Sequence, residues 1–281
     1  MGGCFIHGGR SPLSPCFEVL AAGVLPCAAG RKAFLRDGGP LTVPPYLFQY
    51  DDDLSMTDIR TENEIKLYSD GGIFAFSEDP ADAMRMIGAV LSKTGFRCGE
   101  REDIRYIDDY YTDVGDTFDS KHVSLRYRDS GMMGAVILKL PGVTNGMGLS
   151  RRQVKTEVLN IPGMDRIKAL QDHADRYLGH YDIDPIPKVR VDVSRIRCPV
   201  RSEAMGYTMD FDRVVFRDPA TGKRSVPVYE LEFESMDRPI GDDRQMMRLV
   251  STLVDDYLFS EEKVSKYVRG RAWVRSLAHR V

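Results

Sequence analysis

Cysteine is scarce and unpaired in this 281-residue sequence. Cys4, Cys16, Cys27, Cys98 and Cys198 form no CxxC pair and no cluster with histidine, so neither a zinc site nor a disulfide framework is supported. Free thiols in a reducing cytoplasm are the expectation. His7, His122, His173, His180 and His279 are equally scattered, and no Ser-His-Asp or Cys-His arrangement has a local signature. Long apolar runs are missing too, which argues against a span of roughly 18 apolar residues and hence against a membrane protein. The stretch from Phe17 to Gly30 is mildly apolar, but it is short, broken by Pro26 and lacks a basic start, so it is weak as a signal peptide. Nor is there a surplus of charge. The 39 Lys and Arg residues against 42 Asp and Glu leave a net charge of -3, too balanced for a binder of nucleic acid duplexes that relies on a basic surface.

What is present is unevenly distributed. The first 50 residues hold 8 of the 25 glycines, 6 of the 15 prolines and 3 of the 5 cysteines, with only Glu18 and Asp37 against Arg10, Arg31, Lys32 and Arg36. This composition predicts that residues 1–55 are a disordered extension, or else a segment upstream of a true start at Met56. The patterned chain from 56 to 275 is then the working domain.

Within that domain, short segments of period two carry charge on one face and apolar or neutral residues on the other. In Thr61–Leu67 the alternation sets Glu62, Glu64 and Lys66 opposite Asn63, Ile65 and Leu67, and in Tyr229–Glu234 it sets Glu230, Glu232 and Glu234 opposite Tyr229, Leu231 and Phe233. Between them lie Leu125–Arg128 with Arg126 and Arg128, Val136–Leu140 with Lys139, and Gln153–Val158 with Lys155 and Glu157. A half-exposed antiparallel strand is the ordinary source of such alternation. Here, however, acids and bases are sorted onto different strands, whereas a solvated surface intersperses them. If the strands close into a barrel the charged faces point inward, and such an interior has to be filled by water and a highly charged ligand. Grouped carboxylates take hard divalent cations such as Mg2+ or Mn2+, and Arg and Lys take phosphate oxygens, so a metal-bound polyphosphate is the natural ligand. Helices are predicted from Asp79-Pro80 to Gly95, from Asp165 to Leu178 and from Asp242 to Phe259, with apolar stripes that cover the outer face of the sheet.

These residues resemble the CYTH superfamily, the triphosphate tunnel metalloenzymes. Glu62-Asn63-Glu64-Ile65-Lys66 matches the hallmark ExExK motif, and the order of the downstream segments matches as well: Tyr110-Tyr111, the Arg126/Arg128 strand, Lys139 before Pro141-Gly142, the Arg152–Glu157 strand, the basic segment Lys188–Arg197, Asp212, the Glu230/Glu232 strand and Ser265-Lys266-Tyr267. The resemblance covers roughly residues 60–270. It implies an α+β fold: an antiparallel eight-stranded β-barrel, or tunnel, with helices outside, acting as a metal-dependent triphosphatase in the cytoplasm, as a monomer or homodimer. Its substrate would be a small-molecule triphosphate or polyphosphate. By position, Glu62, Glu64, Glu230 and Glu232 would hold Mg2+ or Mn2+. Lys66, Arg126, Arg128, Lys139, Arg195, Arg197 and Lys266 would hold the phosphates, and Lys66 and Glu157 would be catalytic.

Three departures stand against the pattern. Tyr111-Thr112-Asp113-Val114 replaces a Tyr-Asp-Thr type turn, Gln153 and Lys155 stand where Glu is frequent, and Lys188, Arg190 and Asp192 are out of phase with Arg195 and Arg197 unless a bulge lies near Ser194. The same tunnel would also suit an adenylyl cyclase, a polyphosphate polymerase or a non-catalytic polyphosphate-binding module.

Overall fold

The computed structural model describes residues 57–70, 80–145, 147–161, 163–235 and 239–278, together with 25–26, 33–34 and 40–41. Chain contacts divide it into two units, Met1–Leu54 and Ser55–Val281. In the first, the short strands β1 (Leu25–Pro26), β2 (Ala33–Phe34) and β3 (Pro40–Leu41) form an antiparallel sheet in that order. The expectation for residues 1–55 as a whole otherwise lies outside the described residues.

The second unit is an eight-stranded antiparallel barrel. Its strands are β4 (Thr57–Ser69), β6 (Glu102–Tyr111), β7 (Ser124–Ser130), β8 (Met133–Asn145), β9 (Gly148–Leu159), β10 (Val189–Arg201), β11 (Gly206–Arg217) and β12 (Val228–Ser235). Around the barrel the order is β4-β9-β8-β7-β6-β10-β11-β12, and β12 pairs again with β4 to close it. Closure leaves no open sheet edge and gives every strand an inner and an outer row of side chains. Short strands β5 (Arg97–Cys98) and β13 (Ser260–Glu261) are added along β10 and β4.

The outer rows are apolar and covered by helices, as the period-two reading predicts. Helices α1 (Pro80–Lys93) and α3 (Arg244–Asp256) bring Met84, Ile87, Leu91, Met246, Leu249 and Leu253 against Ile65, Leu67, Met209, Phe211, Leu231 and Phe233. Helix α2 (Arg166–Tyr177) sets Leu170 and Ala174 against Leu125, Tyr127, Val136, Leu138 and Val154. The starts of α2 and α3 follow from their caps. Asp165 accepts from Lys168 N at 2.9 Å, and Asp243 accepts from Gln245 N at 2.7 Å, which satisfies backbone donors that the first turn leaves unpaired.

A fourth helix, α4 (Lys266–Ala278), was not anticipated by the periodicity. It closes one mouth of the barrel, with Tyr267 buried among Tyr106, Tyr110, Val189, Val191, Val193, Val214 and Phe216. Its approach is so close that a Cβ on Gly270 would stand 2.8 Å from Val189 Cγ2 and 2.9 Å from Phe216 Cδ1, so a glycine is required in mid-helix despite its poor propensity. Arg271 anchors the helix from outside, with Nη1 2.6 Å from Asp116 Oδ1 and 3.0 Å from Asp119 Oδ2.

The phase conflict in the basic segment is resolved without a bulge. Pairing of β10 with both β6 and β11 runs in unbroken register through Ser194. Arg190 points outward to Asp109 (2.7 Å) and Asp192 outward to Arg217 (2.6 Å). The inner row of β10 reads Val189, Val191 and Val193 beneath α4 and then Arg195 and Arg197 in the lumen. One face of a single strand changes from apolar to basic because α4 fills only that end of the barrel.

His173 of α2 is buried against β9, with Nδ1 3.2 Å from Thr156 Oγ1. Burial lowers its pKa from the ordinary 6.5 to about 4. Between these values the unfolded chain binds a proton that the folded chain excludes, so stability is lost as pH falls through the window, by on the order of 3 kcal/mol when complete. Urea unfolding at pH 7.0, 5.5 and 4.5 should show this slope in the native protein and a flattened one in His173→Leu; equal slopes would remove the assignment.

Candidate active site

Inward-facing side chains of all eight strands line a cavity of about 180 Å3. It runs from Ser265 and Lys266 at the end closed by α4 to Asp58, Arg60, Lys155, Arg197 and Glu234 toward the other. Strand alternation is what collects these charges. Charged residues at 62, 64 and 66 of β4, 126 and 128 of β7, 195 and 197 of β10 and 230, 232 and 234 of β12 all share the inner parity.

At the closed end, one oxygen from each of Asp212, Glu230 and Glu232 lies within 4.8 Å of the others. Lys266, the first residue of α4, places its ammonium among them: Nζ is 3.1 Å from Asp212, 2.5 Å from Glu230 and 2.9 Å from Glu232. Arg269, one turn on, also pairs with Glu230. Arg195 binds Asp212 through two contacts of 2.7 Å and reaches Glu232 at 3.2 Å. Burial works against ionisation of Glu232, yet the Lys266, Lys66 and Arg195 charges hold its pKa well below the ordinary 4.5.

Farther up the lumen, Glu62 and Glu64 are flanked by cations. Lys139 Nζ is 2.7 Å from Glu62, Arg151 spans both acids at 3.4 and 2.7 Å, and Lys66 lies 3.8 Å from Glu64 and 3.3 Å from Glu232. Against the cost of burial, Arg151 and Lys66 hold Glu64 at about 2. Burial, aided by Arg151, lowers Lys139 to about 8 despite the neighbouring glutamates. Glu234 behaves differently. It stands opposite Glu64 on the neighbouring strand, with Arg60 at 3.2 Å, and burial together with the Glu62 charge raises its pKa.

The facing wall is basic. Arg128 binds Asp108 through two contacts of 2.8 Å and stacks on Tyr106, 3.6 Å from the ring centroid. Arg126 reaches Asp108 at 3.2 Å and donates to the Tyr110 hydroxyl at 2.8 Å. Arg197 pairs with Asp210 at 2.8 Å, and Arg195 contacts the same carboxylate.

The structure brings Lys66, Arg126, Arg128, Lys139, Arg195, Arg197 and Lys266 to this cavity, with Glu62, Glu64 and Glu232. Glu230 is set apart from Glu62. The residue facing Glu230 on β4 is Tyr68, six positions from Glu62 and about 20 Å along the strand. Glu157 shares the inner row of β9 but lies beyond the cavity lining, half-buried, with Lys155 at 2.5 Å.

Sequence reasoning passed over Arg60, Asp108, Arg151, Asp210, Asp212 and Glu234 as site residues. Arg151 was legible, since counting back two from Gln153 puts it on the same face; it comes close to β8 through the irregularity between Lys139 and Gly142, where a Cβ on Gly142 would meet Ser150 O at 2.8 Å. Asp108 was not legible, because Asp109 beside it is equally charged and faces outward to Arg190.

No protein-family model matches the chain, and no curated protein does. Among solved structures, a Hippeastrum protein described as an adenylyl cyclase with a dominant triphosphatase activity is 15% identical, with a TM-score of 0.47 over 75% of this chain and 96% of that one. A Bacillus halodurans protein assigned as an adenylate cyclase is 14% identical, with a TM-score of 0.43 over 75% and 97%. An RNA triphosphatase of S. pombe is 13% identical, with a TM-score of 0.29 over 84% and 88%. These are likenesses of chain path, and the chemistry of the lumen stands apart from them.

Proposed function

We propose that the protein is a divalent-metal-dependent triphosphatase that hydrolyses inorganic triphosphate or a small organic triphosphate in the barrel lumen. The observation that carries this reading is the alternation of acid and base along one enclosed cavity, with Glu62 and Glu64 bracketed by Lys66, Lys139 and Arg151. Buried charges on this scale are costly unless each is paired, and a phosphate chain with a cation can exchange partners with them pair for pair.

The carboxylates fit a divalent cation by donor type: all are hard oxygens, as Mg2+ and Mn2+ prefer. At the closed end the Lys266 ammonium is itself a cation held by three carboxylates, at 2.5 to 3.1 Å. Glu234 differs from Glu62 and Glu64, which neighbouring cations hold low: burial together with the Glu62 charge raises its pKa. Glu62, Glu64 and Glu232, with Glu234 beside them and Glu230 deeper, are the residues that would hold the metal. A bound Mg2+ or Mn2+ supplies charge neutralisation at phosphoryl oxygens and polarises water.

Lys66, Lys139, Arg126, Arg128, Arg195 and Arg197 grip the phosphate oxygens and offset the charge that spreads over them as the terminal P–O bond breaks. Water adds to the terminal phosphorus as the bond to the leaving phosphate breaks, and its proton passes to a carboxylate of the lumen, for which Glu234 opposite Glu64 is the candidate; Glu157, beside Lys155, lies rimward of the central cations. The Lys266 ammonium within the triad favours a second reading, a phosphate-chain binding module without turnover.

Released phosphate from triphosphate, ATP, thiamine triphosphate and long-chain polyphosphate separates these readings, with cyclic AMP and chain growth followed in parallel. Phosphate release should require Mg2+ or Mn2+ and vanish with EDTA. Glu62→Gln and Lys66→Ala should stay folded and lose at least about 100-fold in kcat/KM, the scale of one lost transition-state contact; full activity in either removes it from the site.

Lys266→Met tests the closed end. Leaving Asp212, Glu230 and Glu232 without their ammonium should cost about 3–5 kcal/mol. Mn2+ should then raise Tm more in the variant than in the native protein. An equal Mn2+ shift in both means that the triad does not take a cation.

A further inference from the structure

The open mouth is not charged all round. On β8 the inner row runs from Lys139 through Ile137 and Ala135 to Met133, and on β9 it runs from Gln153 through Lys155 and Glu157 to Leu159, where Met133 and Leu159 are cross-strand partners. Both strands therefore leave the phosphate-binding cavity and end, on the same wall, in an apolar pair. Around that pair the exposed fractions are 70% for Met132, 43% for Met133, 51% for Leu159 and 44% for Ile161. Met133 and Leu159 form an exposed apolar cross-strand pair at the rim, and Met132 and Ile161 flank that pair along the chain, so the exposure there is more than that of a single residue.

The platform is held in shape. Asn160 N donates to Met132 O at 3.0 Å, Asn160 Nδ2 donates to Gly131 O at 2.8 Å, and Asn160 Oδ1 accepts from Arg166 Nη2 at 3.0 Å. The β7–β8 turn and the end of β9 are thus pinned to each other and to α2, so the patch is preformed and a ligand meets little ordering cost there.

The geometry points to this lip as the seat of the organic group of an organic triphosphate, one whose esterifying substituent is apolar or aromatic. The inference rests on the triphosphatase reading above. Among the described residues α4 fills the far mouth, so a chain bound by the lumen cations projects toward this one. Leu159 lies four residues beyond Lys155 on the same row, about 13 Å at strand rise, so a group attached to the chain comes to rest on the lip. Thioether and aliphatic side chains suit a flat or irregular apolar partner. A nucleic acid end calls instead for a basic track with aromatic platforms, whereas on the strands and helix that form this lip Lys155 is paired with Glu157 and Arg166 with Asp129.

The test compares kcat/KM with Mn2+, and Kd by calorimetry, for thiamine triphosphate, ATP, inorganic triphosphate and a 5′-triphosphate RNA oligonucleotide, in the native protein and in Met133→Asp and Leu159→Asp. Both side chains are exposed, and turnover of inorganic triphosphate reports that each variant is folded. The lip predicts that thiamine triphosphate or ATP is preferred over inorganic triphosphate. It also predicts that each variant loses roughly tenfold in affinity and kcat/KM for the preferred ester, as expected for about 50 Å2 of apolar contact, with less than about a twofold change for inorganic triphosphate by the same measure. Preference for inorganic triphosphate or for RNA overturns the inference while the tunnel chemistry stands, and so does an equal effect of the variants on every substrate. If no triphosphate is bound or hydrolysed, the triphosphatase reading fails and the lip falls with it.

Discussion

Asp212, Glu230 and Glu232 meet the Lys266 ammonium at the closed end of the barrel, and the arrangement of the rest of the lumen depends on this contact. Three carboxylates within 4.8 Å of one another cannot all remain ionised in a buried site without a cation. Lys266 provides it from the first turn of a helix that has to enter the barrel mouth to do so. The position of α4, the glycine at 270 that lets it approach Val189 and Phe216, and the Arg271 clamp to Asp116 and Asp119 all serve to bring one ammonium to one place. In turn, Arg195 is fixed by Asp212 and Glu232, and Arg195 belongs to the same wall as Arg126 and Arg128.

The lumen is therefore a set of ion pairs rather than a cationic sleeve. Desolvating a charge costs several kcal/mol unless a partner repays it, and this is why Glu62, Glu64, Asp108, Asp210 and Asp212 each have a basic side chain at salt-bridge distance. A polyanion alone would have to break these pairs and leave the carboxylates stranded. Arriving with a divalent cation, it offers phosphate oxygens to the arginines and lysines and a metal to the carboxylates, so that no charge is left without a partner. On the triphosphatase reading proposed above, a requirement for a cation would follow from how the ion pairs of the lumen neutralise one another.

Much of this was legible in the sequence, because period two and the sorting of sign are properties of the strand itself. The inner rows of β4, β7, β8, β9 and β12 could be read directly, as could the apolar outer rows that α1, α2 and α3 cover. Three elements could not. In β6, Asp108 faces Arg126 and Arg128 inside while Asp109 faces Arg190 outside, so the strand shows no contrast between faces. In β10 the inner face changes from valine to arginine at the edge of α4, which imitates a phase shift. In α4 itself the helical pattern is weakened by Gly270 and by arginines whose partners lie on distant elements, so nothing local announces a helix.

The barrel's two ends also differ in a way that gives the lumen a direction. At the closed end the inner rows become apolar under Tyr267 and the charge is acidic, held by Lys266 and Arg269. In the middle, Lys66, Lys139, Arg126 and Arg151 concentrate positive charge, and toward the open end the rows pass through Lys155 and Arg197 to the Met133–Leu159 pair. A phosphate chain is most negative at its terminal group and least so where it is esterified. On the reading proposed above, such a chain would sit with its terminal phosphate toward the central cations and its esterified end toward the rim. Reversal would set its most highly charged group against the aliphatic side chains at the rim. On that reading, orientation would be set by the order of residue types along each strand, before any contact with the organic group contributes.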